Sequence, residues 1–286
     1  MHWLSSLAPQ VQPATLKSYL THVKSMHIKA DLDFSACESP LVQRLIRGIK
    51  RYHGEKGRKP KQPITLPVLT QLLKVLHPRN DPLHCVVYAA CCLAFSGLLR
   101  CGEFTTKSSR FNPATHLSKS CIKFMPSPAS PAYILLTLPA SKTDPFRKGV
   151  TLTIAAAPGQ PTCPVSAMQQ LLQNSSASPD SLLFEVAPGI PLQRDTFIQC
   201  VRSALSQAGF DPRLYAGHSF RRGGASSAAY AGFSDHQIQL LGRWRSDAYK
   251  LYIETDHTRL LQLSTLLHWA RPPPAPSRPS GPSAQA

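Results

Sequence analysis

The sequence predicts a mainly α fold with a small antiparallel β-sheet, which is a protein of the α+β class. Apolar residues recur at helical spacing over much of the chain, and Pro, Ser or Asp residues that favour helix starts precede several of these stretches. Between Cys121 and Ile154 the pattern changes to short β-branched segments separated by turn residues. Apolar residues make up 42% of the 286 residues, which is enough to build a core and excludes a wholly disordered chain.

Residues 1–56 are predicted to form a small helical domain. Pro13 begins one helix of this domain. Ser39 and Pro40 begin another, because Ser caps a helix and Pro suits its first position. Gly54 is expected to end that helix. The stretch 57–63 combines Lys, Arg, Gly and Pro and is therefore interpreted as a basic linker.

Residues 64–270 are predicted to form a second, larger domain. Its helices are expected over 65–76, 81–95, 100–104, 195–208, 219–230, 234–241, 246–253 and 258–269, with a further helix beginning at Cys163. Its strands are expected over 121–125, 133–138 and 150–154, and they form the small antiparallel sheet. Residues 271–286 are rich in Pro, Ser and Ala and are expected to be a disordered tail.

The charge of the chain points to a polyanionic partner. Lys and Arg number 32 against 15 Asp and Glu, which gives a formal charge of +17. Such a surplus favours nucleic acid first and an anionic membrane surface second. The apolar run 85–95 is too short to span a bilayer, and no apolar stretch of signal-peptide type follows Met1, so neither a membrane-spanning nor a secreted protein is expected.

Several enzyme classes lack their motifs here. The chain has no GxxxxGK[ST] loop, no GxSxG elbow and no HExxH pair. Its eight cysteines form no CxxC pair and lie mostly in apolar segments, so we expect no metal and a reducing, intracellular compartment. Clustered acidic metal ligands are also lacking, which argues against a two-metal nuclease.

A set of cationic and polar residues beside special local structure remains. Its members are Arg100 after Gly97, Lys142 in a turn between strands, His218 and Arg221 at a helix start, Arg243 and Trp244 after Gly242, and Tyr249 and Tyr252. Two guanidinium groups can clamp the non-bridging oxygens of a phosphodiester, because their forks match oxyanion geometry. A histidine can donate a hydrogen bond or move protons there, a lysine can act as a general acid, and a tyrosine beside cations can act as a nucleophile.

Three segments in this set resemble the motifs of the tyrosine recombinase (phage integrase) family. They are GLLRCGEF at 97–104, GHSFRRGGAS at 217–226 and LGRWRSDAYKLYI at 241–253. The first resembles the family's first arginine box, the second its H-x-x-R box and the third its closing tyrosine box. The residues of these three segments are most similar to those of eukaryotic, transposon-encoded members, such as the enzymes of DIRS-type retrotransposons and Cryptons. The resemblance covers roughly residues 13–265.

The resemblance implies a catalytic role for each matched residue. Arg100 and Arg221 would bind the scissile phosphate, Lys142 would protonate the leaving 5′ oxygen, His218 would assist as donor and proton carrier, Trp244 would contact the phosphate, and Tyr252 would attack it. Arg243 is a second candidate for the Trp244 contact. Helical phase does not separate Tyr249 from Tyr252, because residues three apart share a face, whereas the family's spacing from Arg243 selects Tyr252.

The resemblance also implies the activity and its partners. The enzyme would cut and rejoin DNA through a 3′-phosphotyrosine intermediate without metal, ATP or another cofactor, and two rounds of exchange would pass through a Holliday junction. Residues 1–56 would be a helical core-binding domain, although they are short for one, and residues 64–270 would be the catalytic domain. The two domains would clamp double-stranded DNA. Four protomers would assemble into a synaptic tetramer, and the protein would act in the nucleus. The alternative is a domesticated DNA-binding protein that keeps the fold and no longer recombines.

A basic surface outside the catalytic set is expected to follow the DNA backbone. Its members are Arg44, Arg47, Lys50 and Arg51 on the second predicted helix, followed in the linker by Arg58, Lys59 and Lys61. Charge runs of this kind are usually solvated faces. Here the linker continues the run, so we interpret it as a phosphate-tracking surface that positions DNA without reading bases.

Overall fold

The computed structural model describes residues 2–54, 61–139, 149–173, 178–244, 246–251, 253, 261, 264 and 265. The chain divides into two compact units, Met1–Pro60 and Lys61–Ala286. The predicted fold class is confirmed, since the described residues are mainly helical and hold a small antiparallel sheet. The linker residues 57–60, the tail 271–286 and most of the helix predicted at 258–269 lie outside the described residues.

The first unit is a small helical bundle. Its helices are α1 (His2–Leu7), α2 (Pro13–Lys29), α3 (Ser35–Glu38) and α4 (Pro40–His53). The starts predicted at Pro13 and Ser39 are confirmed, and the Ser39 hydroxyl accepts a hydrogen bond from the backbone of α4. Its core joins the apolar sides of α1, α2 and α4 and consists of Leu4, Ala8, Leu16, Val42, Ile46 and Ile49. Helices α1 and α3 are short and were not expected from the sequence.

The second unit surrounds one buried helix. Its helices are α5 (Leu66–Val75), α6 (Pro82–Ser96), α7 (Cys101–Phe104), α8 (Pro164–Gln173), α9 (Arg194–Gln207), α10 (Ser219–Tyr230) and α11 (Asp235–Gly242). The Asp81 carboxylate caps α6 by accepting from two backbone N–H groups, and the helix then packs against α8 and α10. Because both neighbours press on it, α6 is apolar on nearly every side.

The three predicted strands form one antiparallel sheet in the order β1 (Ile122–Met125), β2 (Tyr133–Leu138) and β3 (Val150–Ala155). Ile134 faces Ile154 across the β2–β3 ladder. Alternate residues of β2, namely Ile134, Leu136 and Leu138, are buried, as the period of a half-buried strand requires. A second hairpin of β4 (Glu185–Ala187) and β5 (Ile190–Pro191) was not predicted, because strands this short give too few residues for an alternating pattern.

One predicted element is wrong in kind. The stretch predicted as a helix over 246–253 contains a short 3₁₀ helix at Asp247–Leu251. Buried Tyr249 anchors it, and the ring of Trp244 lies 6.0 Å from that of Tyr249. In the part of the chain that the structure describes, no helix is long and apolar enough to cross a membrane, and no cluster of His, Cys, Asp and Glu could hold a metal ion.

Candidate functional site

A cationic cleft of about 620 Å³ lies beside the N-terminus of α7 in the second unit. Among the residues that line it are Arg100 and His218, which are 118 positions apart in the sequence. The cleft also holds Lys107 and Arg194, which the sequence did not single out. The structure therefore brings two of the predicted catalytic residues together and surrounds them with additional positive charge.

Arg100 is fixed at the start of α7 by a buried carboxylate. Its backbone N–H donates to Glu103 Oε2 at 2.8 Å, and its Nη1 donates to Glu103 Oε1 at 2.8 Å. The Glu103 side chain is only 3% exposed, whereas that of Arg100 is 20% exposed. Because both ends of the residue are bonded to one rigid group, the remaining donors of the guanidinium are aimed with little loss of entropy on binding.

His218 reaches the cleft because a glycine precedes it. His218 is exposed and lies at the N-terminal end of α10. A Cβ atom on Gly217 would lie 2.9 Å from Cys101 Cβ, so only glycine permits this approach of α10 to α7. The side chain of Arg194 also lies against Gly217. The glycine thus places an imidazole beside the guanidinium of Arg100 in the same cleft.

Arg221 lies behind the cleft. It is 1% exposed, its Nη1 donates to the carbonyl of Leu98, and its Nη2 donates to the carbonyl of Gly242. The Trp244 ring covers it, with 4.1 Å between the guanidinium carbon and the ring centroid. Leu98 belongs to the first motif and Gly242 to the third. Arg221, which belongs to the second motif, therefore links the other two by hydrogen bonds.

Arg243 occupies the position beside Arg100. Its Nη2 donates to Glu103 Oε2 at 3.0 Å and its Nη1 to the Gly97 carbonyl at 3.1 Å. Burial lowers the pKa of the Arg243 guanidinium, the Glu103 carboxylate opposes this shift, and the charge of Arg100 adds to it. Of the two candidates for the phosphate contact, Arg243 is the neighbour of Arg100, while Trp244 packs on Arg221.

Tyr249 and Tyr252 differ in what the structure describes. Tyr249 is 1% exposed and packs against Leu98, Ala225 and Ile238. Burial raises the pKa of its phenol, and the neighbouring Asp235 carboxylate raises it further, so the group stays protonated at neutral pH. Tyr252 and Lys142 lie outside the described residues, and their roles stay predictions.

The predicted DNA-tracking surface is exposed wherever the structure describes it. Arg44, Arg47, Lys50 and Arg51 all lie on the solvent side of α4, opposite the buried Ile46 and Ile49. In the second unit Lys61 is exposed, and its Nζ donates to the carbonyl of Arg213. Arg58 and Lys59 lie outside the described residues.

Sequence reasoning missed two cations of the cleft, Lys107 and Arg194, and ranked a third, Arg243, second. Arg243 was weighed and set below Trp244, although the adjacent glycine marks the turn that aims it. Lys107 follows the first motif by only a few residues and could have been found there. Arg194 begins α9, far from every motif, and nothing local distinguishes it from a surface arginine.

Comparison with known proteins finds recombinases and integrases that are similar to this chain. No family model matches it. An integrase/recombinase xerD homolog from Selenomonas ruminantium is 25% identical over 265 residues, which cover 87% of this chain and 69% of that protein.

Solved structures agree on the fold. The XerA recombinase matches with a TM-score of 0.53 at 16% identity over 92% of this chain and 84% of its own. The Tn1549 transposon integrase, in a complex with circular intermediate DNA, matches with a TM-score of 0.61 at 13% identity over 93% and 83%. A lambda integrase dimer bound to a core site matches with a TM-score of 0.52 at 14% identity over 88% and 62%. The fold is that of the tyrosine recombinases.

Proposed function

We propose that this protein is a DNA strand transferase that cuts and rejoins DNA through a 3′-phosphotyrosine intermediate. The observation that carries the proposal is that three distant segments meet at Arg100, Glu103 and Arg221 beside one cleft. Arg100 and His218 line it, and Arg221 joins the segments that hold Arg100 and Arg243. Cations held this way match the needs of a phosphodiester in substitution at phosphorus.

The proposed reaction is an in-line substitution that conserves bonds. The phenol oxygen of Tyr252 attacks phosphorus and passes its proton to His218, the proposed proton carrier. A new P–O bond forms to tyrosine, and the bond from phosphorus to the 5′ oxygen breaks. Lys142 supplies the proton that the leaving 5′ oxygen takes up. A 5′ hydroxyl from a partner strand then attacks the phosphotyrosine and restores the diester, so neither ATP nor an oxidant is consumed.

Charge stabilisation is the main contribution of the cleft. The pentacoordinate transition state carries more negative charge on its equatorial oxygens than the diester does. Guanidinium donors at Arg100 and an imidazole at His218 face that charge, and one such donor is worth about 3–4 kcal/mol in comparable oxyanion sites. The positive charge comes from side chains, so the mechanism assigns no step to a metal ion.

Arg221 can contact the phosphate directly only if the groups that now surround its guanidinium move. The resemblance assigns it to the phosphate, yet both of its Nη atoms donate to backbone carbonyls and Trp244 covers it. A direct contact with the phosphate therefore requires the Gly242 carbonyl and the Trp244 ring to move when DNA binds. Until then, Arg221 holds the site together.

The partner, assembly and origin are part of the proposal. Double-stranded DNA fits the formal charge of +17 and the exposed basic side of α4. Large apolar side chains at the end of the described second unit are exposed, with Tyr230 at 73%, Leu240 at 71% and Leu251 at 82%, which supports self-association into a tetramer on DNA. The residues of the three motifs resemble those of eukaryotic, transposon-encoded enzymes, and this supports an enzyme of that kind that acts in the nucleus.

Covalent trapping tests the proposal. The purified protein is incubated with a library of duplexes that carry a nick next to each candidate cleavage position, so that the released strand diffuses away and the phosphotyrosine accumulates. We expect an adduct on a denaturing gel, unchanged by EDTA and absent for Tyr252→Phe. Tyr249→Phe is the matched control and should form the adduct, because that phenol is buried and protonated.

Three results would contradict the proposal. An adduct that persists in Tyr252→Phe would place the nucleophile elsewhere. Loss of the adduct in EDTA would indicate a metal-dependent reaction. Tight, salt-dependent binding with no adduct on any duplex would favour the domesticated DNA-binding protein.

A further inference from the structure

A second cationic pocket, of about 560 Å³, lies in the second unit at the C-terminal part of α9. Lys61, from the segment before α5, lines it together with Arg202, Ser203 and Ser206 of α9. Arg194, at the other end of α9, lines the cleft beside α7. Among the described residues, no side chain lines both cavities, so the pocket is a separate place for a ligand.

Hydrogen bonds to backbone carbonyls hold the two cations of this pocket. Arg202 donates to the Tyr215 carbonyl from Nε at 3.3 Å and from Nη2 at 3.1 Å. Lys61 Nζ donates to the carbonyl of Arg213. A guanidinium has five N–H donors and an ammonium has three. In the bonds among described residues the first uses two and the second uses one, so both side chains are oriented and keep donors for an oxyanion.

The charge of these two cations is not cancelled by the acidic residue nearby. Arg213 also lines the pocket, and its guanidinium is bonded to both oxygens of Asp211, from Nε to Oδ1 and from Nη2 to Oδ2, each at 3.1 Å. Hydrogen bonds from Arg213 lower the pKa of the Asp211 carboxyl, and the charge of Lys61 adds to this shift. Because Arg213 and Asp211 form a neutral pair, Lys61 and Arg202 give the pocket its net positive charge.

Two serine hydroxyls of α9 complete the lining. Ser203 and Ser206 are exposed, and residues three apart share one face of a helix. Ser203 Oγ accepts from Gln207 Nε2 at 3.3 Å, and the Ser206 hydroxyl has no partner among the described residues, so both O–H groups can donate to a ligand. The Ser206 carbonyl accepts from the Gly209 N–H at 3.1 Å, so it is not left to repel an anion.

We infer that this pocket binds a phosphate group, which Lys61 and Arg202 hold by charge and the two serines by their hydroxyls. Hydrogen bonds from a guanidinium or an ammonium are strongest when the acceptor is an oxyanion. Two sources share this chemistry, a backbone phosphate of duplex DNA and a small phosphorylated molecule. Arg202 follows Arg194 by eight residues, which is about 12 Å along the axis of α9, so a duplex over the cleft can extend to the pocket. The DNA source rests on the proposed function, and the small-molecule source does not.

Titration with pyrophosphate tests the site without DNA. Arg202→Gln removes one cation, and Ser206→Glu places a carboxylate in the pocket without removing a hydrogen bond of the native side chain among the described residues. Isothermal titration calorimetry should show binding at the pocket and at the cleft, and Arg100→Gln identifies the cleft because it should weaken that site alone. We expect both pocket variants to weaken the pocket site by about tenfold or more, as the loss of a charge-assisted hydrogen bond does.

Two variants on the exposed side of α5 match these changes in net charge. Lys74→Gln removes one positive charge, as Arg202→Gln does, and Gln71→Glu adds one negative charge, as Ser206→Glu does. Since neither α5 residue lines the pocket, both variants should bind pyrophosphate as the wild type does. The midpoint of urea unfolding shows that all four proteins are folded.

The salt dependence of duplex binding identifies the source of the phosphate. Fluorescence anisotropy is measured over a salt series for the wild type and the two pocket variants. A backbone phosphate in the pocket predicts a slope that is shallower by about 0.9 in Arg202→Gln and in Ser206→Glu, which is the value of one lost contact. A small phosphorylated molecule predicts an unchanged slope together with weaker pyrophosphate binding.

The outcomes separate this inference from strand transfer. Weaker pyrophosphate binding or a shallower slope in both pocket variants, with both α5 variants unchanged, supports the inference. No change in either measurement overturns it, and so do equal losses in the pocket and α5 variants, because these would reflect net charge alone. A loss confined to one pocket variant also overturns it, since that would reflect a local structural defect. No covalent adduct enters these measurements, so a failure to trap one would overturn the proposed function and leave the pyrophosphate result standing.

Discussion

Arg100 and Arg221 carry the same charge and have different surroundings. Arg100 is bonded to a carboxylate and keeps one face toward the cleft. Arg221 is bonded to two backbone carbonyls and is covered by an indole. Because a guanidinium presents several donors in one plane, it can serve either as a ligand for an anion or as a brace between two backbone segments.

The geometry of Arg100 predicts the effect of a conservative change. Arg100→Lys keeps the positive charge and the pairing with Glu103, and it loses the planar fork. We expect covalent adduct formation to fall about 100-fold to 1,000-fold, the range seen when one donor leaves an oxyanion site. DNA affinity in a filter-binding assay should change little, because many other cations contribute to it.

A surface arginine supplies the control for Arg100→Lys. The side chain of Arg213 is 88% exposed and pairs only with the nearby Asp211 among the described residues. Arg213→Lys should leave the adduct yield unchanged. Equal losses in the two variants would mean that the fork at Arg100 has no particular role.

Among the elements, α10 depends most on close backbone approach. It places Arg221 and follows His218, and it can do so because its residues Gly223 and Gly224 lie against other segments. A Cβ atom on Gly223 would lie 1.7 Å from the Ile64 carbonyl oxygen, which is backbone and cannot swing aside. The backbone N–H of Ile64 also donates to the Ser219 carbonyl at 2.9 Å, so this contact anchors α10.

The contact between Gly223 and Ile64 predicts a large effect of one methyl group. Gly223→Ala should destabilise the second unit by about 1–3 kcal/mol or more, as overpacking does, and should lower adduct yield by displacing His218 and Arg221. The midpoint of urea unfolding measures the stability.

A helical glycine in open space is the control for Gly223→Ala. A Cβ atom on Gly48 in α4 would meet nothing within 4 Å. Gly48→Ala should therefore stabilise the first unit by about 0.5–1 kcal/mol, because alanine is the better helix former. A Gly223→Ala protein that unfolds at the wild-type midpoint would contradict this account of the packing of α10.

At the scale of the whole molecule, the excess of positive charge has the largest expected effect on DNA binding. The chain has a formal charge of +17, and the exposed side of α4 holds Arg47 and Arg51 among its cations. Each phosphate contact releases condensed counterions from the duplex, so the logarithm of the binding constant falls linearly with the logarithm of the salt concentration, with a slope of about −0.9 per contact. Binding should therefore weaken steeply between low and physiological salt.

The salt dependence gives a test of the α4 surface. The double change Arg47→Gln and Arg51→Gln should reduce the slope by about 2, equally for different DNA sequences, because phosphate contacts carry no sequence information. Lys74→Gln, on the exposed side of α5, should leave the slope as it is. Fluorescence anisotropy over a salt series measures both, and an unchanged slope in the double variant would show that α4 does not face the DNA backbone.

Local patterns in the chain were sufficient for most of the fold. The starts of α4 and α6 and the three strands of the larger sheet follow from caps, proline placement and alternation, which act between residues close in sequence. The first helix and the β4–β5 hairpin escaped prediction because they are too short to show a period. The three sequence motifs also singled out Arg100, His218 and Arg221, whose catalytic roles stay predictions.

The tertiary structure alone decided where these residues lie and what they contact. That Arg243 adjoins Arg100, that Arg221 is buried behind Trp244, and that Lys107 and Arg194 enter the cleft all depend on contacts between segments far apart in the chain. Such contacts are set by the packing of α6, α7 and α10, in which a glycine or a buried carboxylate decides the direction of a neighbouring side chain. No local pattern encodes that direction, because the energy that fixes it is shared among all the segments that meet there.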